Sequence, residues 1–185
     1  MKYAFAFCGP IGSGKSSVSK LFATTIDAGW NSFGSTVKEI AIERGLPTNR
    51  EGLQSLGAQL VKEERSAFCR RVVAKATYGR GSTIVIDGLR HIDIAMELQS
   101  IINPQALACV YVDAPRALRM ERVRARDGVS AEQLELLELH STEVEVEARL
   151  RSFAGLIADN AGPVGECVDS IVRWAQAQGH GSLLL

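Results

Sequence analysis

Nothing in the 185 residues has the length of a membrane span. No apolar run approaches 18 residues, and the terminal Leu183-Leu184-Leu185 is too short to be one. The first residues carry only Lys2 ahead of an apolar stretch, with no h-region or cleavage site of a secretory leader, so a cytoplasmic location is expected. Cysteine is sparse: Cys8, Cys69, Cys109 and Cys167 lie far apart, with no C-x-x-C and no zinc spacing. That excludes a disulfide framework and a zinc finger, and leaves reduced thiols, with Cys8 and Cys109 inside strand-like apolar runs. The three histidines, His91, His140 and His180, show no ligand spacing and read as solvated. Charge of one sign is also lacking: 21 basic residues cancel 21 acidic ones, which argues against a nucleic-acid or membrane partner. The Asn-Lys-x-Asp signature of guanine-reading GTPases is absent, and there is no repeat, low-complexity tract or linker. A hydrophobic content of 46% then leaves one ordinary globular domain spanning 1–185.

What is present begins at once. Gly9-Pro10-Ile11-Gly12-Ser13-Gly14-Lys15-Ser16 fits G-x-x-x-x-G-K-[ST], the phosphate-binding P-loop. The apolar run Tyr3–Cys8 leads into it, and Val18, Leu21 and Phe22 follow at helical spacing, so the loop joins a buried strand to a helix. Glycines let the backbone wrap an oxyanion with its N–H groups inward, and the helix N-terminus adds partial positive charge. Lys15 would reach the β/γ-phosphates and the Ser16 hydroxyl would ligate Mg²⁺.

Further along, Asn31-Ser32-Phe33-Gly34 is a weak strand candidate. Thr36-Val37-Lys38-Glu39 reads as a capping box, as does Thr48-Asn49-Arg50-Glu51, which opens one long amphipathic helix to about Tyr78. After the break at Gly79-Arg80-Gly81-Ser82, Thr83–Asp87 is a β-branched strand that ends in Asp87-Gly88-Leu89-Arg90. A helix over about 92–102 precedes Asn103-Pro104. Ala106–Asp113 is the next strand, and Pro115 starts a helix to about Arg126. Ser130-Ala131-Glu132-Gln133 caps a helical, acidic segment to about Arg151, where Glu143, Glu145 and Glu147 read as a solvated face. A last strand near Leu156-Ile157-Ala158 and a helix over about 164–178 complete the chain. Strands alternating with helices predict an α/β, three-layer P-loop fold: five parallel strands flanked by helices, with ligands at the strands' carboxyl ends.

Asp87 occupies the acidic strand end of P-loop enzymes, where it would hold Mg²⁺ together with Ser16; a helix N-cap is the structural alternative. Arg90, three residues on, suits a phosphate or an ion pair with Asp87. Asp113 reads as a cap. Arg116, Arg119, Arg122, Arg124 and Arg126 crowd one helix, with Arg119, Arg122 and Arg126 on one side, where they suit a transition state with charge spread over phosphoryl oxygens. Lys38 is a candidate for the acceptor.

Taken together, the P-loop, Ser32-Phe33-Gly34 with Lys38-Glu39, Asp87-Gly88-Leu89-Arg90, the arginine helix and Ala158-Asp159-Asn160 resemble the nucleoside monophosphate kinase-like P-loop kinases in matching order over nearly the whole chain. Ser32–Glu39 through Arg44-Gly45-Leu46 is similar to archaeal-type adenylate and (deoxy)nucleotide kinases. Val112–Pro115, Arg122–Ser130 and Ala158–Gly162 resemble dephospho-coenzyme A kinase. The resemblance implies an ATP- and Mg²⁺-dependent phosphotransferase with a small phosphorylated acceptor, most simply a (deoxy)nucleoside monophosphate. Gly9, Gly12, Ser13, Gly14, Lys15, Ser16, Ser17, Arg122, Asn160 and Gly162 would bind ATP. Ser35, Lys38 and Arg90 would bind the acceptor, and Lys15, Asp87, Arg122 and Arg126 would be catalytic. Acceptor-binding helices would span about 36–78 and a short helical lid about 127–151, in a monomer or homodimer. Two positions depart from the pattern: Ser35 stands where an Asp is usual and Lys38 where an Arg is, and an ammonium lacks the guanidinium's bidentate fork. A nucleotide-dependent regulatory ATPase, or a kinase for a coenzyme precursor or non-nucleotide, is the alternative.

Overall fold

In the computed structural model the described residues are 3–77, 83–102, 107–128, 133 and 146–180. Five strands, β1 (Tyr3–Cys8), β2 (Gly29–Ser32), β3 (Thr83–Asp87), β4 (Leu107–Asp113) and β5 (Leu156–Asp159), form one sheet in the order β2-β3-β1-β4-β5. Every pairing is parallel. The central strands are apolar on both faces, as a sheet covered on two sides requires.

Helices α1 (Lys15–Thr25) and α7 (Val164–Ala175) cover one face, with Phe22 set edge-on against Phe5. The other face carries α2 (Phe33–Glu43), α3 (Arg50–Glu63), α4 (Arg65–Thr77) and α5 (Ile92–Ile101), closed by Val146 and Leu150 of a π-helical turn, Val146–Leu150. Helix α6 (Arg116–Asp127) stands off the sheet and packs Val123 against Ile11 of the P-loop. The three-layer α/β architecture is therefore the expected one, and among the described residues no helix is long and apolar enough to cross a membrane.

Four local expectations are corrected. The second strand runs over Gly29–Ser32 rather than 31–34, because Ser32 caps α2: its hydroxyl accepts the Ser35 amide at 2.9 Å, and Phe33 is already helical. Thr36 therefore starts no helix; its hydroxyl donates back to the Ser32 carbonyl at 3.1 Å. The cap of α3 is Asn49, which accepts from the Gly52 amide, and not Thr48. The single long helix to Tyr78 is two helices that part at Glu64. Each side of that break has its own partner: Glu64 takes a bidentate pair from Arg44, and Arg65 reaches Asp93 on α5. The cap at Ser130, the acidic run Glu143-Glu145, the body of the lid, His140 and the turns at Gly79–Ser82 and Asn103-Pro104 lie outside the described residues, as does the side chain of His180.

Candidate active site

The sheet's parallel register aligns the carboxyl ends of its strands. Phe7 pairs with Asp87, Ser32 with Asp87 and Cys8 with Tyr111, so the P-loop leaves β1 between the ends of β3 and β4. Residues 9–14 then turn back to α1. Gly9 has φ +142°, and a Cβ there would fall 2.2 Å from the Val112 carbonyl oxygen. Gly14 caps α1 at φ +82°, where a Cβ would meet the Asn160 amide nitrogen at 2.4 Å. Only glycine suits either position. No acidic residue occupies the first turn of α1, so its unpaired N–H groups and dipole keep their positive character toward an anion.

Ser13 and Lys15 are buried within the loop, and Lys15 Nζ donates to the Pro10 carbonyl at 3.3 Å. The Ser16 hydroxyl donates to Asp87 Oδ2 at 2.7 Å across the β1–β3 seam. Asp87 is 4% exposed, and its Oδ1 is buried without a hydrogen-bond partner among the described residues. Burial pushes its carboxyl above the ordinary range; the Ser16 hydrogen bond and then the charges of Lys15 and Arg90 hold it back. Asp87 does not cap α5, whose N-cap is His91.

A hydroxyl and a carboxylate oxygen are hard donors. An Mg²⁺ ion takes few protein ligands and completes its shell with water and substrate phosphate. Ser16 and Asp87 fit that requirement, and the unsatisfied Oδ1 is the atom a cation would meet.

A cleft of about 390 Å³ opens beside the loop. Gly12, Gly14, Lys15, Ser16, Ser17, Arg122, Arg126, Asn160 and Gly162 line it, with Val123 and Val164. It thus collects every expected ATP-side residue except Gly9 and Ser13, which lie in the loop behind it. The arginine helix braces the loop. Arg119 donates to the Ile11 carbonyl at 3.2 Å, and Arg122 donates to the carbonyls of Ser13 at 3.3 Å and Asn160 at 2.9 Å. Asn160 is buried, and its amide donates to the Ser13 carbonyl at 2.7 Å. Arg126 is engaged differently: Nε and a terminal nitrogen donate to the two carboxylate oxygens of Asp127 at 2.7 Å each.

On the other side of Asp87, the expected acceptor residues are spread along the start of α2 and the exit of β3. Ser35 donates to Asn31 Oδ1 at 3.0 Å and to the Ser32 carbonyl, so its hydroxyl belongs to the α2 cap. Lys38 is exposed on α2, and Arg90 is half-buried three residues beyond Asp87. Asp113 accepts the Ala114 amide, as a local cap does, and also pairs with Arg151 at 2.6 Å. Arg151, whose guanidinium lies over the Tyr111 ring, has no signal in the sequence. Arg119 does have one, its spacing three residues before Arg122.

A family model described as an AAA domain matches residues 6–146. A UPF0200 protein of Aeropyrum pernix is 32% identical over 136 residues, which is 72% of this chain and 70% of the relative. The chain belongs to the AAA domain family and to the UPF0200 proteins. A second UPF0200 protein, from Thermococcus onnurineus, is 30% identical over 118 residues, 62% of this chain and 63% of the relative. This AAA domain also superposes on solved P-loop kinases. A gluconokinase from Sinorhizobium meliloti 1021 has a TM-score of 0.61 at 19% identity, covering 98% of both chains. A shikimate kinase from Acinetobacter baumannii in complex with shikimate has a TM-score of 0.62 at 16% identity, covering 95% of this chain and 93% of its own. The P-loop kinase fold expected from the motifs is the fold of this UPF0200 protein.

Proposed function

We propose that this protein is an ATP- and Mg²⁺-dependent phosphotransferase that moves the γ-phosphoryl group to a small phosphorylated acceptor, most simply a (deoxy)nucleoside monophosphate, in the cytoplasm. The observation that carries the reading is the contact of Ser16 with Asp87, in register with Ser32. It sets a P-loop, a carboxylate with one unsatisfied oxygen and the start of α2 side by side. The lining of the cleft supports ATP on the α6 side. The acceptor would then lie toward α2 and Arg90.

In this reading an acceptor phosphate oxygen attacks the γ-phosphorus, the bond to the β-bridging oxygen breaks and ADP leaves. The attacking phosphate is already ionised, so no general base is needed. Lys15, Arg122 and Arg126 offset charge on the transferring group, and Lys38 and Arg90 hold the acceptor phosphate. Ser16 and Asp87 would hold Mg²⁺, which neutralises β- and γ-phosphate oxygens when bound. The four free, buried thiols support a reducing compartment.

The test is a panel of nucleoside monophosphates, coenzyme precursors and sugar- and shikimate-type acceptors, with ADP as readout and Lys15→Ala as control. Acceptor-dependent ADP from a nucleoside monophosphate, lost in Lys15→Ala, is expected. Turnover with only a sugar-type acceptor would redirect the proposal to a non-nucleotide kinase, and acceptor-independent turnover alone to a regulatory ATPase.

A further inference from the structure

Ser19 places a hydroxyl where a core would ordinarily have none. It lies in the middle of α1, wholly buried beside Val18 and Phe22. A buried hydroxyl destabilises the fold unless it is hydrogen-bonded. Here both its lone pairs and its proton are engaged. The indole Nε1 of Trp30, on the edge strand β2, donates to the Ser19 oxygen at 3.1 Å, and the Ser19 hydroxyl donates to the Ser16 carbonyl at 3.2 Å. An indole nitrogen can only donate, so the Ser19 oxygen accepts from it and directs its own proton to the carbonyl three residues back. Donation therefore runs one way, from Trp30 through Ser19 to Ser16. The Ser16 hydroxyl donates in turn to Asp87 Oδ2 at 2.7 Å. Ser16 is thus gripped twice, at its carbonyl from β2 and at its side chain from β3. The two strands are neighbours in one register, Trp30 against Val85 and Ser32 against Asp87. Trp30 is itself held: it is half-buried, with the Lys20 ammonium 4.9 Å over its ring.

We propose that Trp30 is a positioning residue for Ser16. Through Ser19 it fixes the Ser16 backbone, so that the Ser16 hydroxyl stays within reach of Asp87 and of a cation shared with nucleotide phosphate. The inference rests on the reading of Ser16 and Asp87 as the Mg²⁺ pair. Gly14 caps α1 without a side-chain hydrogen bond, so the first turn of the helix lacks the local restraint that a Ser, Thr or Asp cap supplies. The tie from β2 to the Ser16 carbonyl provides that restraint from outside the helix. Trp30 and Ser19 stay behind α1 and touch neither nucleotide nor metal; their effect passes through the placement of one hydroxyl.

The test is titration of wild type, Trp30→Phe, Ser19→Ala and the Trp30→Phe/Ser19→Ala double variant with a non-hydrolysable ATP analogue, once with Mg²⁺ and once in EDTA. Trp30→Phe keeps a ring under Lys20 and removes the N–H. It should weaken binding with Mg²⁺ by about twofold to tenfold, the span of one neutral hydrogen bond, and leave binding in EDTA unchanged. Ser19→Ala should do the same, and the double variant should be no weaker than Ser19→Ala, because both residues are links of one chain. Equal losses with Mg²⁺ and in EDTA would mark a merely structural brace and overturn the proposal. So would affinities that match wild type in both, or losses that multiply in the double variant. Should Trp30→Phe fail to fold, Ser19→Ala decides by the same comparison. Wild type that binds equally with and without Mg²⁺, or not at all, would overturn the reading of Ser16 and Asp87 and this inference with it. A wild type that depends on Mg²⁺, with Trp30→Phe and Ser19→Ala unchanged, overturns this inference alone.

Discussion

Asp87 is a buried carboxylate with one oxygen held by Ser16 and the other without a full hydrogen bond among the described residues. Its carboxyl lies above the ordinary range because burial disfavours the charged form. The folded chain therefore binds this proton more tightly than the unfolded chain does. The contribution of the group to stability falls as pH rises above the ordinary carboxylate value of 3.8 and is unfavourable at neutral pH. Asp87→Asn keeps an acceptor for the Ser16 hydroxyl and removes the charge. It should raise the melting temperature at pH 7 in the presence of EDTA by a few degrees, ~2–4 °C for a chain of this size. The same change should abolish acceptor-dependent ADP formation and the Mg²⁺-dependent part of nucleotide binding. Thermal unfolding with and without Mg²⁺ checks both; a variant that is less stable in EDTA would show that Asp87 is a structural residue.

The P-loop is held in place by two other elements. Asn160, after β5, and Arg122, on α6, both donate to the Ser13 carbonyl, and Arg122 also grips the Asn160 carbonyl. Asn160→Ala would strip a buried acceptor of its 2.7 Å partner and should cost about 1–3 kcal/mol of stability, measured by urea unfolding. Because the loop itself is loosened, the KM for ATP should rise more than kcat falls. A change in kcat alone would place Asn160 in the chemistry instead. Arg122→Lys should reproduce part of the same effect, since an ammonium lacks the two separate nitrogens with which the guanidinium reaches the Ser13 and Asn160 carbonyls.

These ties also mark what could be read from the residues. The P-loop, the strand end at Asp87 and the spacing of Arg122 and Arg126 were legible, since glycine geometry, β-branched runs and helical periodicity are local. Ser32 as the cap of α2 was missed because Thr36 offered the same local chemistry one turn later, and the fold uses that hydroxyl inside the turn. The break at Glu64 carries no glycine or proline. Arg44 and Asp93 hold its two sides, and both come from other elements. Arg151 on Asp113 and Tyr111 is likewise a product of tertiary placement.

The molecule as a whole is a sheet between two apolar cores, and its thiols are divided between them. Cys8, Cys69 and Cys109 lie in the core under α2, α4 and α5, and Cys167 lies in the core under α1 and α7. Burial pushes the Cys69 thiol up to about 12 and the Cys167 thiol up to about 11, against an ordinary 9.0. Cys109 is raised as well, first by its contact with Cys8 at 3.7 Å and then by burial. A folded-state value above the unfolded one means that the native protein keeps protons the unfolded chain releases. Stability from these groups is thus full below pH 9.0. It is lost as pH climbs, through about 11 for Cys167 and about 12 for Cys69. Each thiol can add up to ~1.4 kcal/mol of lost stability per pH unit across its window. Cys69→Ala will be less stable than wild type at pH 8, because it leaves a small cavity. Its unfolding free energy should nevertheless fall less steeply than that of wild type between pH 9 and 11, as followed by urea titration at each pH. Cys167→Ala should flatten the same slope from the other face of the sheet. Parallel slopes in all three proteins would mean that the thiols open to solvent well below global unfolding, and that the two cores are not sealed as the packing requires.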